Sequence, residues 1–227
     1  MDSSTSGPDF SIGAVASLNP TILGVARDVI DPNSRRSLFD VWQQKQASSG
    51  DEGRGSMVEN ELGSGSDYTV FLNFLGVPVA SMGFDGPYGV YHSQYDDLYW
   101  MEHFGDPGYR YMTAMVEVWG RLALRLANAE VIPYDFRPYA ATVRGFVESL
   151  REIPGVEDEL DLRSILTVLD EWSEAAESLH RKKQKVLTAE GEMEPGAFAE
   201  ALLSGNAVHP VFPELVVLLP SNHHGHA

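Results

Sequence analysis

The 227-residue sequence contains no cysteine. A disulfide framework, a thiolate nucleophile and a thiolate metal site are therefore excluded, and the compartment is left open. Basic residues are also scarce, with 16 Lys and Arg against 33 Asp and Glu and a formal charge of −17. Duplex nucleic acid and anionic membrane surfaces are poor partners for such a chain, because the phosphate interaction would be repulsive. No run of about 18 apolar residues occurs, so the sequence holds no transmembrane segment. The first residues show no basic-then-apolar signal pattern; Met1 is followed at once by Asp2, Ser3 and Ser4.

What is present is enough apolar material for a core. Hydrophobic residues make up 43% of the chain, which suits one sizeable domain or one and a half. The one basic cluster, Arg181, Lys182, Lys183 and Lys185, lies near the end of a helical pattern, where cations favour the helix dipole.

In chain order, the first 17 residues read as a Ser/Gly-rich loop. Asn19 and Pro20 then make a cap and first-turn pair for a helix to about Val29, ended by Pro32. A second short helix is expected over Ser34 to Gln44, with Leu38, Val41 and Trp42 on one side. Ala47 to Glu61 reads as an exposed connection. From Tyr109 onward the pattern is that of long amphipathic helices. Met112, Met115, Trp119, Leu122 and Leu126 form one stripe, and Tyr139, Val143, Phe146, Val147 and Leu150 a second. Leu162, Ile165, Leu166, Leu169, Trp172, Ala176 and Leu179 form a third. Such stripes bury against one another or against a partner. Pro133, within Glu130 to Asp135, interrupts the helical run.

The stretch Leu62 to His92, LGSGSDYTVFLNFLGVPVASMGFDGPYGVYH, carries the chemistry. Ser64, Gly65, Ser66 and Asp67 supply small and capping residues before a short helix, Tyr68 to Leu75, that Gly76 stops. Val77 to Met82 reads as a buried strand. Phe84 to Val90 is a Gly/Pro-bearing loop beyond its carboxyl end, the place where open α/β sheets bind ligands, and it delivers Tyr91 and His92. An imidazole near Asp96 and Asp97 suits zinc binding or general-base chemistry. Gly63-Ser64-Gly65-Ser66 has neither the order of a nucleophile elbow nor a phosphate-loop lysine, which leaves backbone donors at a helix start. His223, His224 and His226 form a His-rich end.

Several motifs together resemble the glutamate carboxypeptidase and transferrin-receptor-like family of co-catalytic zinc peptidases. Asp2-Ser3-Ser4 with Ser6-Gly7 is similar to its metal-ligand strand end. Leu62-Gly63-Ser64-Gly65-Ser66-Asp67 is similar to its active-site loop, which commonly has Asn where Ser66 stands. Tyr91-His92-Ser93 with Tyr95 resembles its last histidine-ligand motif. Asn128-Ala129, Ile132-Pro133-Tyr134-Asp135 and Tyr139-Ala140 resemble the join into its helical dimerisation domain.

The resemblance implies an α/β fold: residues 1–107 as the C-terminal part of a zinc-peptidase domain, and 108–227 as an incomplete helical dimerisation domain. It implies two zinc ions in the intact parent, with Asp2 as ligand to one and His92 to the other, and Ser64, Gly65, Ser66 and Tyr91 lining the substrate site. Peptides are the implied substrate and a homodimer through the helices the implied assembly. The bridging aspartate, the second histidine and the glutamate base belong to a part of the family upstream of Asp2, so no catalytic residue is assigned and the chain is expected to be a fragment, weak in zinc and inactive alone. Gly76 to Tyr91 lacks the arginines of glutamate-preferring members. Pro220-Ser221-Asn222-His223-His224 resembles a late substrate loop, with Gly225-His226 where a Lys-Tyr pair is usual. The alternative reading is a non-catalytic dimerisation or receptor-like module.

Overall fold

The computed structural model describes residues 4–48 and 58–188. Asp2 and the histidines from 223 to 226 lie outside them. By its internal contacts the chain divides into two units, Met1–Leu162 and Arg163–Ala227.

The first unit mixes helices with a small sheet. Strand β1 (Asp9–Ala14) buries Phe10, Ile12 and Ala14 and turns Asp9, Ser11 and Gly13 away. It pairs antiparallel with β2 (Ala80–Asp85), Phe10 opposite Phe84 and Ile12 opposite Met82. The expectation of a loop over the first 17 residues is thus corrected. The alternation is that of a half-buried strand, and Ser and Gly on its outer face disguise it.

β2 begins three residues later than the expected strand. Pro78 lies in the connection, Val77 stays exposed while its N–H closes the preceding helix on Phe71 O at 2.9 Å, and Phe84 is the fully buried anchor. Because the two strands are antiparallel, the parallel-sheet argument for a ligand crevice does not apply, although the His92 loop does leave the carboxyl end of β2.

The flanks of this sheet are single bridges. Phe84 exchanges hydrogen bonds with Ser4 O and Ser6 N, and Glu59 with Ala14 N and Ile12 O. A Cβ on Gly7 would lie 2.5 Å from Gly86 Cα, so the two backbones touch and glycine is required. Val58 is buried and the Asn60 amide donates to Ala14 O. The end of the expected exposed connection is therefore part of the sheet's margin.

Helix α1 (Asn19–Asp28) falls within a residue of the expected bounds, with Pro20 in its first turn, but Leu18 holds the cap position and the Asn19 amide bonds Asn60, so the capping expected of Asn19 is not observed. Ile22, Val25, Ala26 and, just past its end, Val29 are fully buried at helical spacing. α2 (Leu38–Ser48) starts four residues later than expected, because Asp31 holds the N–H groups of Asn33 and Ser34 in a turn first. Leu38 and Trp42 face the core.

The core of β1, β2, α1 and α2 continues into α5 (Arg110–Ala127) through Tyr111, Ala114, Met115, Val118 and Leu122. Phe84 sits between Phe10 and Tyr111, at centroid distances of 5.3 and 5.1 Å. α6 (Arg137–Arg151) and the short α7 (Val156–Glu159) follow. Asp135 N donates to Ser17 O and Thr21 Oγ1 to Pro133 O, tethering the start of α6 to residues around α1.

The second unit is represented by α8 (Leu162–Thr188), whose first residue closes the first unit. Leu169 and Ala176, both on the expected stripe, are buried, and Lys185 lies in its last turn.

Candidate functional site

The expected site residues fall in two exposed segments. In the first, Ser64 and Gly65 are exposed and Ser66 half-buried. The Ser66 carbonyl accepts from Thr69 N at 3.0 Å and Thr69 Oγ1 at 2.7 Å, which starts α3 (Thr69–Leu75). Tyr68 occupies the cap position and no side chain caps the helix, so the capping role expected of Ser64, Ser66 or Asp67 is not observed. Gly76 ends α3 in the left-handed conformation, as its sequence position suggests. None of its residues is buried, and Phe74 is 79% exposed.

The second segment runs from Gly86 to Gly105. His92 has φ of 59°, a conformation that costs a non-glycine residue about 1 kcal/mol or more and persists only where neighbours hold it. Its ring stacks on Tyr91, centroids 3.8 Å apart at 22°. Tyr91 meets Tyr88 at 5.6 Å, and Tyr88 meets Trp100 at 5.0 Å. Each such pair adds about 0.5–1.5 kcal/mol beyond its buried area.

The loop between is closed by its own polar groups. Val90 O accepts from Ser93 N and Oγ, and Ser93 Oγ accepts from Tyr95 N. Tyr88 donates its hydroxyl to the Asp96 carboxylate. Asp97 accepts from Trp100 N at 2.8 Å and caps α4 (Leu98–Trp100). A π-helical turn, Met101–Gly105, follows.

Asp106, 2% exposed, then receives the N–H groups of Arg110, Tyr111 and Met112 at 3.1, 3.2 and 2.8 Å. Three charge-assisted bonds satisfy three of the four orphan donors at the start of α5. Nearby, Glu102 accepts from the Tyr109 hydroxyl, and that bond pushes the phenol's pKa up.

Electrostatically this region favours cations. From Gly55 to Tyr109 the sequence holds no Lys or Arg, while Asp85, Asp96, Asp97 and Glu102 are there. A metal ion nevertheless needs converging ligands, about three from the protein. Among the described residues no group of three His, Asp or Glu is placed to hold one. Asp96 and Asp97 are engaged by Tyr88 and by the α4 backbone. His92 is exposed, and Asp2 lies outside the described residues. The described residues alone do not fit a zinc site.

Tyr88, Trp100, Gly105 and Asp106, which hold this segment in place, carry no motif in the sequence. Asp106 had a signal, an acidic residue shortly before a long helical pattern, but Gly108 and Tyr109, both at positive φ, separate it from the helix it caps.

Comparison with protein-family models gives no match. Among curated proteins, a probable glutamate carboxypeptidase, LAMP1, of Arabidopsis thaliana is 36% identical over 188 residues, 82% of this chain and 26% of the relative. An inactive zinc metalloprotease of Schizosaccharomyces pombe is 29% identical over 82% of this chain and 22% of its own length. This chain belongs with the glutamate carboxypeptidase-like proteins. A further relative, the aminopeptidase NAALADL1 of Mus musculus, is 29% identical over 52% of the chain and 17% of its own length. The glutamate carboxypeptidase-like chain thus spans about a quarter of the length of the curated relatives it matches. Their names include a carboxypeptidase, an aminopeptidase and an inactive protein, so membership alone does not fix the chemistry.

Proposed function

We propose that this chain supplies one wall of a zinc peptidase site: the Leu62 to Asp67 loop and the Tyr91-His92 pair, set on a helical domain that dimerises. On this reading residues 1–107 are the C-terminal part of the peptidase domain and 108–227 the dimerisation domain. The rest of the site, including its general base, comes from polypeptide like that which the relatives carry outside the matched quarter. Asp2 and His92 are metal ligands by resemblance, one to each ion, and a metal bound by one protein ligand is held weakly.

The observation that carries the reading is the Tyr91-His92 pair itself. An imidazole is held in a left-handed backbone conformation against a half-exposed tyrosine, in a region without a cation. That wall has no Lys or Arg to pair with a buried substrate carboxylate, so it favours neutral or apolar side chains. Homodimerisation is supported by the apolar residues left exposed on the helices: Val116 and Leu124 on α5, and Phe146 and Leu150 on α6.

The test joins this chain to the preceding polypeptide of the Arabidopsis relative and measures hydrolysis of a dipeptide panel. Turnover of neutral dipeptides, abolished by His92→Ala, is the expected result. A strong preference for C-terminal glutamate refutes the specificity, and indifference to His92→Ala refutes the site. The name of the inactive relative favours one second reading, a non-catalytic interaction module, under which the joined protein dimerises in light scattering without hydrolysing anything.

A further inference from the structure

We infer that Trp100 and Gly105 are positioning residues for the Tyr91-His92 pair, acting through a ladder of rings. The inference rests on the reading of Tyr91 and His92 as site residues, but the ladder is a property of this chain and is measurable without metal or substrate.

Four contacts make the ladder. His92 stacks on Tyr91, while Tyr91 meets Tyr88 and Tyr88 meets Trp100 at tilts of 48° and 43°. The six-membered ring of Trp100 lies against the backbone of Gly105. A Cβ there would lie 2.4 Å from Cζ3 and 3.0 Å from both Cε3 and Cη2 of the indole, so no other residue fits without moving the ring.

Gly105 is in turn fixed. It is buried, ends the π-helical turn, and precedes Asp106, whose carboxylate is bound to three N–H groups of α5. α5 is anchored in the core by Met115 and Val118. Tyr88 also donates its hydroxyl to Asp96, which ties that ring to the loop that follows His92. Aromatic side chains turn about only two torsions and their faces are rigid, so a displaced Trp100 passes its shift to the ring it touches. At the other end, the φ of 59° at His92 marks a backbone that its surroundings hold in place. The exposed imidazole is therefore referenced to the core from some distance along the chain.

The experiment uses the 227-residue protein and reads the His92 ring resonances in carbon–proton correlation spectra, identified by their loss in His92→Gln. His180, on α8, is the internal control. Trp100→Phe, which keeps a ring, is expected to leave the His92 signals near their original positions. Trp100→Ala removes a rung and Gly105→Ala pushes it, so each is expected to move the His92 signals while His180 and the core Met115 methyl stay put. The double variant is expected to match Trp100→Ala alone, because the added Cβ then has no ring to strike. If Gly105→Ala does not fold, the Trp100 series decides the matter. Unmoved His92 signals in folded Trp100→Ala overturn the inference, whatever the zinc chemistry. A ladder that behaves as expected, in a joined enzyme indifferent to His92→Ala, overturns the proposed function and leaves the ladder standing.

Discussion

The core built from β1, β2, α1 and α5 and the segments of the candidate site around α3 and the Tyr91-His92 loop are held together by different means. In the core, Phe84, Ile22, Val25 and Val118 are fully buried, and each apolar stripe meets another. In the segments of the candidate site α3 buries nothing and residues 91–99 are all exposed. Order there comes from local hydrogen bonds, ring stacks and a buried aspartate. Stability and candidate function are thereby separated along the chain: the first region holds the molecule together and the second holds a shape on its surface.

This contrast breaks most sharply at Phe84. Phe84→Ala empties the space between Phe10 and Tyr111 and is expected to cost about 3–5 kcal/mol in urea unfolding. A loss under about 1 kcal/mol would mean that the sheet is not the centre of the fold. Asp106→Ala comes next, since it strips a buried cap of three N–H groups from α5 at the junction of the two regions. A loss of about 2 kcal/mol is expected, with Asp106→Asn losing less because one acceptor oxygen remains.

Alkaline pH probes the core side again. Burial raises the phenol pKa of Tyr139 and Tyr134 above the ordinary value of 10.0, and burial followed by the Asp31 charge raises that of Tyr111. The unfolded chain then loses these protons first. Stability is complete below pH 10 and falls as pH rises through the folded values. The urea midpoint is expected to hold up to pH 10 and to drop as pH rises above it, and to drop less in Tyr139→Phe. The smallest effect belongs to the surface. Phe74→Ser on α3 is expected to change stability by no more than about 0.5 kcal/mol, and a larger loss would show α3 to be covered in solution.

The same division explains what the sequence disclosed. The helices were legible because Asn19-Pro20, Gly76 and the long stripes from Met112 to Leu179 state their period and punctuation locally. The α5 face is only widened, since Tyr111, Ala114 and Val118 bury beside the expected Met115 and Leu122. β1 was hidden because its outward residues are Ser and Gly, which look like loop, and its partner lies some seventy residues away in the sequence. His92 and Tyr91 were singled out by motif. Their supports were not, because a ring ladder from Tyr88 to Gly105 follows no helical or strand period, and a glycine excluded from change by an indole is visible only in three dimensions.

Under the proposed function this chain carries part of a site and not a whole one. The most direct test is to purify the 227-residue protein, equilibrate it with zinc, remove loosely held metal by gel filtration, and measure retained zinc together with hydrolysis of a mixed dipeptide pool. Well under one zinc per chain and no turnover are expected. Retention of two zinc ions per chain, with turnover abolished by His92→Ala, would contradict that reading.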